Sequence, residues 1–69
     1  MDAAVMVERR RALGLRQADV ADLAGVSERF VRELESGKPS VRLDLLQRVL
    51  DVLGLELLVQ VRSAGASRP

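Results

Sequence analysis

The segment Leu13-Gly-Leu-Arg-Gln-Ala-Asp-Val-Ala-Asp-Leu-Ala-Gly-Val-Ser-Glu-Arg-Phe-Val-Arg-Glu-Leu-Glu-Ser-Gly-Lys38 carries two apolar rhythms interrupted by a glycine. Val20, Leu23 and Ala24 recur at helical spacing over residues 17–24, and Val31 and Leu34 do so over residues 27–36. Two short helices joined by a Gly25-Val26-Ser27 turn are therefore expected. Gly25 permits the left-handed backbone of a tight turn, and Ser27 is the kind of residue that accepts a hydrogen bond from a free N–H at a helix start. With successive residues about 100° apart, Val31 and Leu34 fall on one side of the second helix and Arg29, Arg32, Glu33 and Ser36 on the other. The outward side is wholly polar. Glu35 lies at the edge of the apolar arc. Gly37 and Pro39 are stop signals, and Lys38 suits the negative end of the helix.

On the amino-terminal side, residues 3–13 form one more helix, with Met6, Arg10 and Leu13 on a common stripe. An arginine at the edge of an apolar stripe needs a carboxylate, and Glu35 is its natural partner. On the carboxy-terminal side, a fourth helix over residues 42–53 carries Leu43, Leu45, Leu46, Val49, Leu50, Val52 and Leu53. These residues spread over nearly half the circumference, wider than one packing stripe, so one side is expected to face another molecule. Gly14, Gly25, Gly37 and Gly54 each close a helix. After Gly54 the pattern alternates, with Leu55, Leu57, Val59 and Val61 on one side, which predicts a strand over residues 55–62. Nothing else in the chain pairs with it, so a second chain must supply the neighbouring strand. Leu45, Val52, Leu57, Val59 and Val61 are the candidate dimer or partner contacts. Residues 63–69 have the composition of a tail.

Sixty-nine residues hold one domain with a small core, and help from a partner chain is a reasonable expectation at that size. The chain has no cysteine and no histidine, so disulfides, thiol nucleophiles and imidazole ligands or acid–base groups are absent. No catalytic residue, metal site or cofactor is expected, and catalysis is argued against. The sole aromatic is Phe30, which leaves no platform for stacking unpaired bases. No apolar run suits a bilayer and no signal-like segment opens the chain, so a cytoplasmic protein is expected. Net charge is only +1, and its distribution carries more information. Residues 1–16 set four cations against two anions, and residues 17–39 set three cations against five anions. The basic footprint is local and weak, so one copy is expected to bind nucleic acid poorly.

The segment resembles the Cro/C1-type (XRE, phage-repressor-like) helix-turn-helix family. The likeness covers about residues 7–54 and rests on the Leu13-Gly-Leu15 lead-in, Gln17 opening the second helix, Leu23-Ala24-Gly25-Val26-Ser27, and Leu34-Glu35-Ser36-Gly37-Lys38. Arg16 departs from the pattern, because the family usually has threonine or serine there as the helix cap. The resemblance implies an all-α, lambda-repressor-like domain of four to five helices over residues 1–54, with the carboxy-terminal strand pairing across a dimer. It implies that Gln17 meets a backbone phosphate of double-stranded DNA, a capping amide being the structural alternative. Ser27, Glu28, Arg29 and Glu33 match positions that meet base edges or phosphates in the major groove. Arg29 suits guanine, since its planar fork matches two acceptors at once. Arg32 is open between a phosphate and a pair with Glu28. Glu28 and Glu33 are open between accepting from cytosine and excluding wrong sites. Lys38 and Arg16 are expected at phosphates. Arg10 and Glu35 match a family ion pair. Phe30 reads as core, with a thymine methyl as the alternative contact, and the run Arg9 to Arg11 otherwise reads as a solvated face.

The short length, the Arg42-Leu43-Asp44 segment and the strand-like end after Leu53-Gly54-Leu55 look like HipB-type antitoxins. That resemblance implies a homodimeric repressor of a palindromic operator that also holds a HipA-like kinase toxin. A stand-alone regulator without a toxin and an interaction adaptor that has lost DNA binding are the alternatives.

Overall fold

Asp2 starts the first helix: its side chain accepts a hydrogen bond from the Ala4 N–H at 2.9 Å, which satisfies one of the free donors at the helix start. The computed structural model describes residues 2–38 and 40–58, and within them the chain forms four helices. They are α1 (Ala3–Ala12), α2 (Gln17–Ala24), α3 (Glu28–Glu35) and α4 (Leu43–Leu53). All four stop by the same device. In each case a glycine in the left-handed region follows the helix, and the N–H of the next residue reaches back to a carbonyl five residues earlier. Leu15 bonds to Arg10, Val26 to Ala21, Lys38 to Glu33 and Leu55 to Leu50. This double closure consumes carbonyls that would otherwise be unpaired at the helix ends.

The core consists of Met6 from α1, Val20, Ala21 and Ala24 from α2, Val31 and Leu34 from α3, and Leu46, Val49, Leu50 and Leu53 from α4. Helix α2 packs on both α3 and α4, while α1 lies across α3 and α4. Two of the three core residues of α2 are alanines, and their small side chains let its backbone approach its neighbours closely. Phe30 is half-buried against this core, as are Val26, Val52 and Leu55.

Three expectations are corrected. Leu23 points outward and is 65% exposed. The inward arc of α2 is centred on Gln17, Val20, Ala21 and Ala24, and Leu23 lies roughly 110° from that centre. Residues 55–58 do not form a strand. The Leu55 N–H is consumed in closing α4, its side chain packs against the core, and a lone segment has no ladder to join. The rest of the expected strand, including Val59 and Val61, and the tail over residues 63–69 lie outside the described residues, as does Pro39. Finally, Arg9 is not merely a solvated cation. Its Nε donates to the Leu53 carbonyl at 2.8 Å, which places a positive group on the negative end of α4 and ties α1 to it.

Among the described residues, no helix is long and apolar enough to cross a membrane. Because Leu50 is 2% exposed and Leu23 is 65% exposed, Leu50→Ala should destabilise the fold by about 2–5 kcal/mol and Leu23→Ala by under about 0.5 kcal/mol. Urea unfolding followed by circular dichroism measures both, and equal losses would contradict the packing.

Candidate nucleic-acid interface

The orientation of α3 is set at both ends. At its start the Ser27 hydroxyl accepts from the Phe30 N–H at 3.0 Å, and Val26 in the preceding turn packs against the core. At its end the Glu35 carboxylate receives Arg10 through both oxygens, Nε at 2.6 Å and Nη2 at 3.0 Å. The Arg10 Nη1 also donates to the Leu15 carbonyl at 3.0 Å, and Gln17 Nε2 donates to Glu35 at 3.0 Å. Arg10 and Glu35 keep only 13% and 9% of their side-chain surface exposed. A paired fork in that setting is directional and shielded from solvent. One carboxylate therefore joins α1, α2 and α3.

With Val31 and Leu34 held in the core, Arg29, Arg32, Glu33 and Ser36 line one open depression on the opposite side of α3. The wheel expectation and the observed face comprise the same four residues. Their arrangement is not four free side chains. Glu33 accepts from Arg29 Nε on one oxygen at 3.1 Å and from Lys38 Nζ on the other at 2.9 Å, while the Ser36 hydroxyl donates to the Glu33 carbonyl at 2.8 Å. The hydrogen bonds from Lys38 and then Arg29 hold the Glu33 carboxyl below the ordinary glutamate range. Arg32 makes no ion pair among the described residues, so the expected alternative of a link to Glu28 is not formed.

At the start of α2, the Asp19 carboxylate accepts from the Arg16 N–H at 2.8 Å and from its guanidinium at 3.2 and 3.3 Å. Asp19 thus forms the reciprocal half of a capping box by bonding the Arg16 N–H, while Arg16 itself makes no side-chain cap to the first turn of α2. Asp19 is shifted below its usual range by the hydrogen bond from the Arg16 side chain and then that from its backbone. The Gln17–Glu35 hydrogen bond brings the start of α2 to the end of α3. Gln17 is turned onto Glu35 rather than out to solvent. Ser27 and Glu28, at the other end of α3, are exposed. Leu45 and Val52 on α4 are half-buried, while Leu43 and Leu58 stay 65% and 72% exposed and Leu57 stays 40% exposed.

Two features escaped the reading of the sequence: the Arg9 cap on α4 and the double use of Glu33. The second had a signal, because Arg29 and Glu33 stand four apart on one helix face. The first had none, since it depends on where α4 ends. No cluster of three metal-ligating side chains occurs among the described residues.

Two short helices meeting at a glycine turn, the first braced against the core and the second offering a polar face, define a helix-turn-helix unit. The chain belongs to the helix-turn-helix family HTH_3, which it matches over residues 6–59. It is similar to y4mF of Sinorhizobium fredii, described as an uncharacterized HTH-type transcriptional regulator, at 40% identity over 48 residues. That match takes in 70% of this chain and 63% of the relative's length.

The Glu35 carboxyl yields a pH-dependent test. Burial pushes it up, but hydrogen bonds from Arg10 and Gln17, with the Arg10 charge, outweigh burial and leave it below the ordinary glutamate range. A carboxyl lowered on folding stabilises the fold above its unfolded pKa of about 4.3, and that contribution disappears as the pH falls through the folded value. Glu35→Gln should cost on the order of 3 kcal/mol at neutral pH, since it leaves Arg10 without its charge partner. It should also flatten the loss of stability between about pH 5 and pH 3. Chemical unfolding across that range measures both effects.

Proposed function

We propose that this chain is a sequence-specific, double-stranded DNA-binding transcriptional repressor, with residues 1–54 as the DNA-binding unit. The observation that carries the reading is the two-sidedness of α3. Val31 and Leu34 are buried, and Arg29, Arg32, Glu33 and Ser36 form an open polar face opposite them. A helix exposed in this way fits the major groove, where base edges display distinct donor and acceptor patterns. In this reading Arg29 pairs with guanine, Ser27 and Glu28 meet base edges or phosphates at the start of the helix, and Arg32 reaches the backbone. Arg16, Gln17 and Lys38 contact phosphates, and the start of α2 also favours an anion. Arg10 and Glu35 hold the reading helix in place.

The protein acts as a homodimer on a palindromic operator. Support comes from the small core and from the exposed apolar side chains Leu43, Leu57 and Leu58, surface of the kind a second chain would cover. Two half-sites also compensate for a unit whose cations are few and mostly paired. Fluorescence anisotropy with DNA from upstream of its own coding sequence tests the assignment. Arg29→Ala should weaken binding by about 1–3 kcal/mol while the far-ultraviolet circular dichroism stays unchanged. Unaltered affinity and unaltered sequence preference would reject the role given to α3.

The finer reading is that the protein is the antitoxin of a toxin–antitoxin operon, repressing that operon and neutralising a HipA-like kinase toxin. It is supported by the resemblance around Arg42-Leu43-Asp44 and Leu53-Gly54-Leu55. A stand-alone regulator is the rival, favoured by the name of the Sinorhizobium fredii relative. Co-expression with the adjacent gene separates them: the antitoxin should purify as a stoichiometric complex with that gene's product and relieve its toxicity. A regulator would purify without it and leave growth unaffected.

A further inference from the structure

We infer that Glu33 is a specificity-determining residue that acts as an intrachain latch, occupying Arg29 and Lys38 so that they engage DNA only where the sequence gives a better partner. The inference rests on the DNA-binding reading above. Its basis is the geometry of one carboxylate. Its two oxygens hold Arg29 at 3.1 Å and Lys38 at 2.9 Å, so the proposed base-reading cation and the proposed phosphate cation share a single anion. The Arg29 side chain is 84% exposed and that of Lys38 is 47% exposed, while Glu33 beneath them is 29% exposed. Both cations are thus within reach of a ligand; each keeps N–H groups that Glu33 does not occupy, but a contact that takes Arg29 Nε or draws Lys38 away breaks the pair.

The energetic consequence follows from the modest strength of such pairs. An exposed pair of this kind is weak, so giving it up costs little. A phosphate met at random repays that loss poorly, because Glu33 remains nearby as an uncompensated negative charge. A guanine that accepts both N–H groups of the Arg29 fork repays it well. The latch therefore subtracts more from non-specific binding than from specific binding, which raises discrimination by a repulsive element. It also accounts for both polar oxygens of Glu33 without assigning it a base of its own. Arg32, on the same face without an ion pair among the described residues, remains available for the first, non-specific encounter.

The test uses the full chain and a fluorescein-labelled duplex of random sequence, titrated between about 50 and 200 mM salt. E33Q should bind this duplex about three- to tenfold more tightly than the wild type at the low-salt end, with a salt slope steeper by about 1. E28Q removes the same charge from the same helix without freeing a cation, and its gain should be clearly smaller. E33D keeps the charge but shortens the reach by one methylene, so it should also gain affinity, which a general charge effect would not produce. Thermal melts of each variant establish that it is folded, and E33D carries the test if E33Q is not. Equal gains for E33Q and E28Q with none for E33D would overturn the latch in favour of bulk charge. Wild-type binding that E33Q leaves unchanged would overturn it outright. If neither the wild type nor any Glu33 variant binds duplex at low salt, the DNA-binding reading itself fails, and the inference falls with it.

Discussion

The Glu35 carboxylate is the joint of this molecule. It takes both prongs of the Arg10 fork and the Gln17 amide, and these three residues belong to three different helices. A charge held in a largely enclosed place must be fully partnered or it destabilises the fold. The requirement works in the fold's favour here, because only one roll of α3 about its own axis places Glu35 at Arg10 while Val31 and Leu34 face the core. That same roll turns Arg29, Arg32, Glu33 and Ser36 outward. The polar face of α3 is thus a consequence of how its inner edge is bound.

The rest of the fold is built to preserve this arrangement within a short chain. Each helix is stopped by a glycine that lets carbonyls of its last turn be satisfied locally, while the Leu53 carbonyl of α4 is met by a distant side chain. Helix α2 uses alanines at Ala21 and Ala24 to sit close to its neighbours. Arg9 anchors the end of α4 to α1. With so small a core, each of these local closures is a sizeable part of a narrow margin of stability.

Electrostatics in this protein are mostly internal. Arg10, Arg16, Arg29, Lys38 and Arg42 each face a carboxylate of the same chain, and the overall charge is only +1. Such a surface attracts phosphate weakly at long range.

Much of this was legible in the amino-acid order. The four glycine stops, the start of α3 at Ser27, the Arg10–Glu35 pairing and the four residues of the outer face all follow from period, cap chemistry and the requirement that an inward charge be paired. All but the Arg10–Glu35 pairing are local rules, and they hold when neighbours along the chain determine the outcome. What the sequence could not decide depended on tertiary placement. Leu23 is as apolar as Leu50, yet the arc α2 buries is chosen by the helices it meets, and Leu23 falls outside it. Leu55 alternates like the first residue of a strand, yet closing α4 takes its N–H and the core takes its side chain. Arg9 looked like one cation of a solvated run until the end of α4 arrived beside it. The sequence by itself determined which residues are helical and where each helix stops, because those choices are made within a few residues. Only the tertiary structure decided which apolar side chains are inside and that Arg9 caps α4, because burial and the Arg9–Leu53 contact are relations between elements distant along the chain.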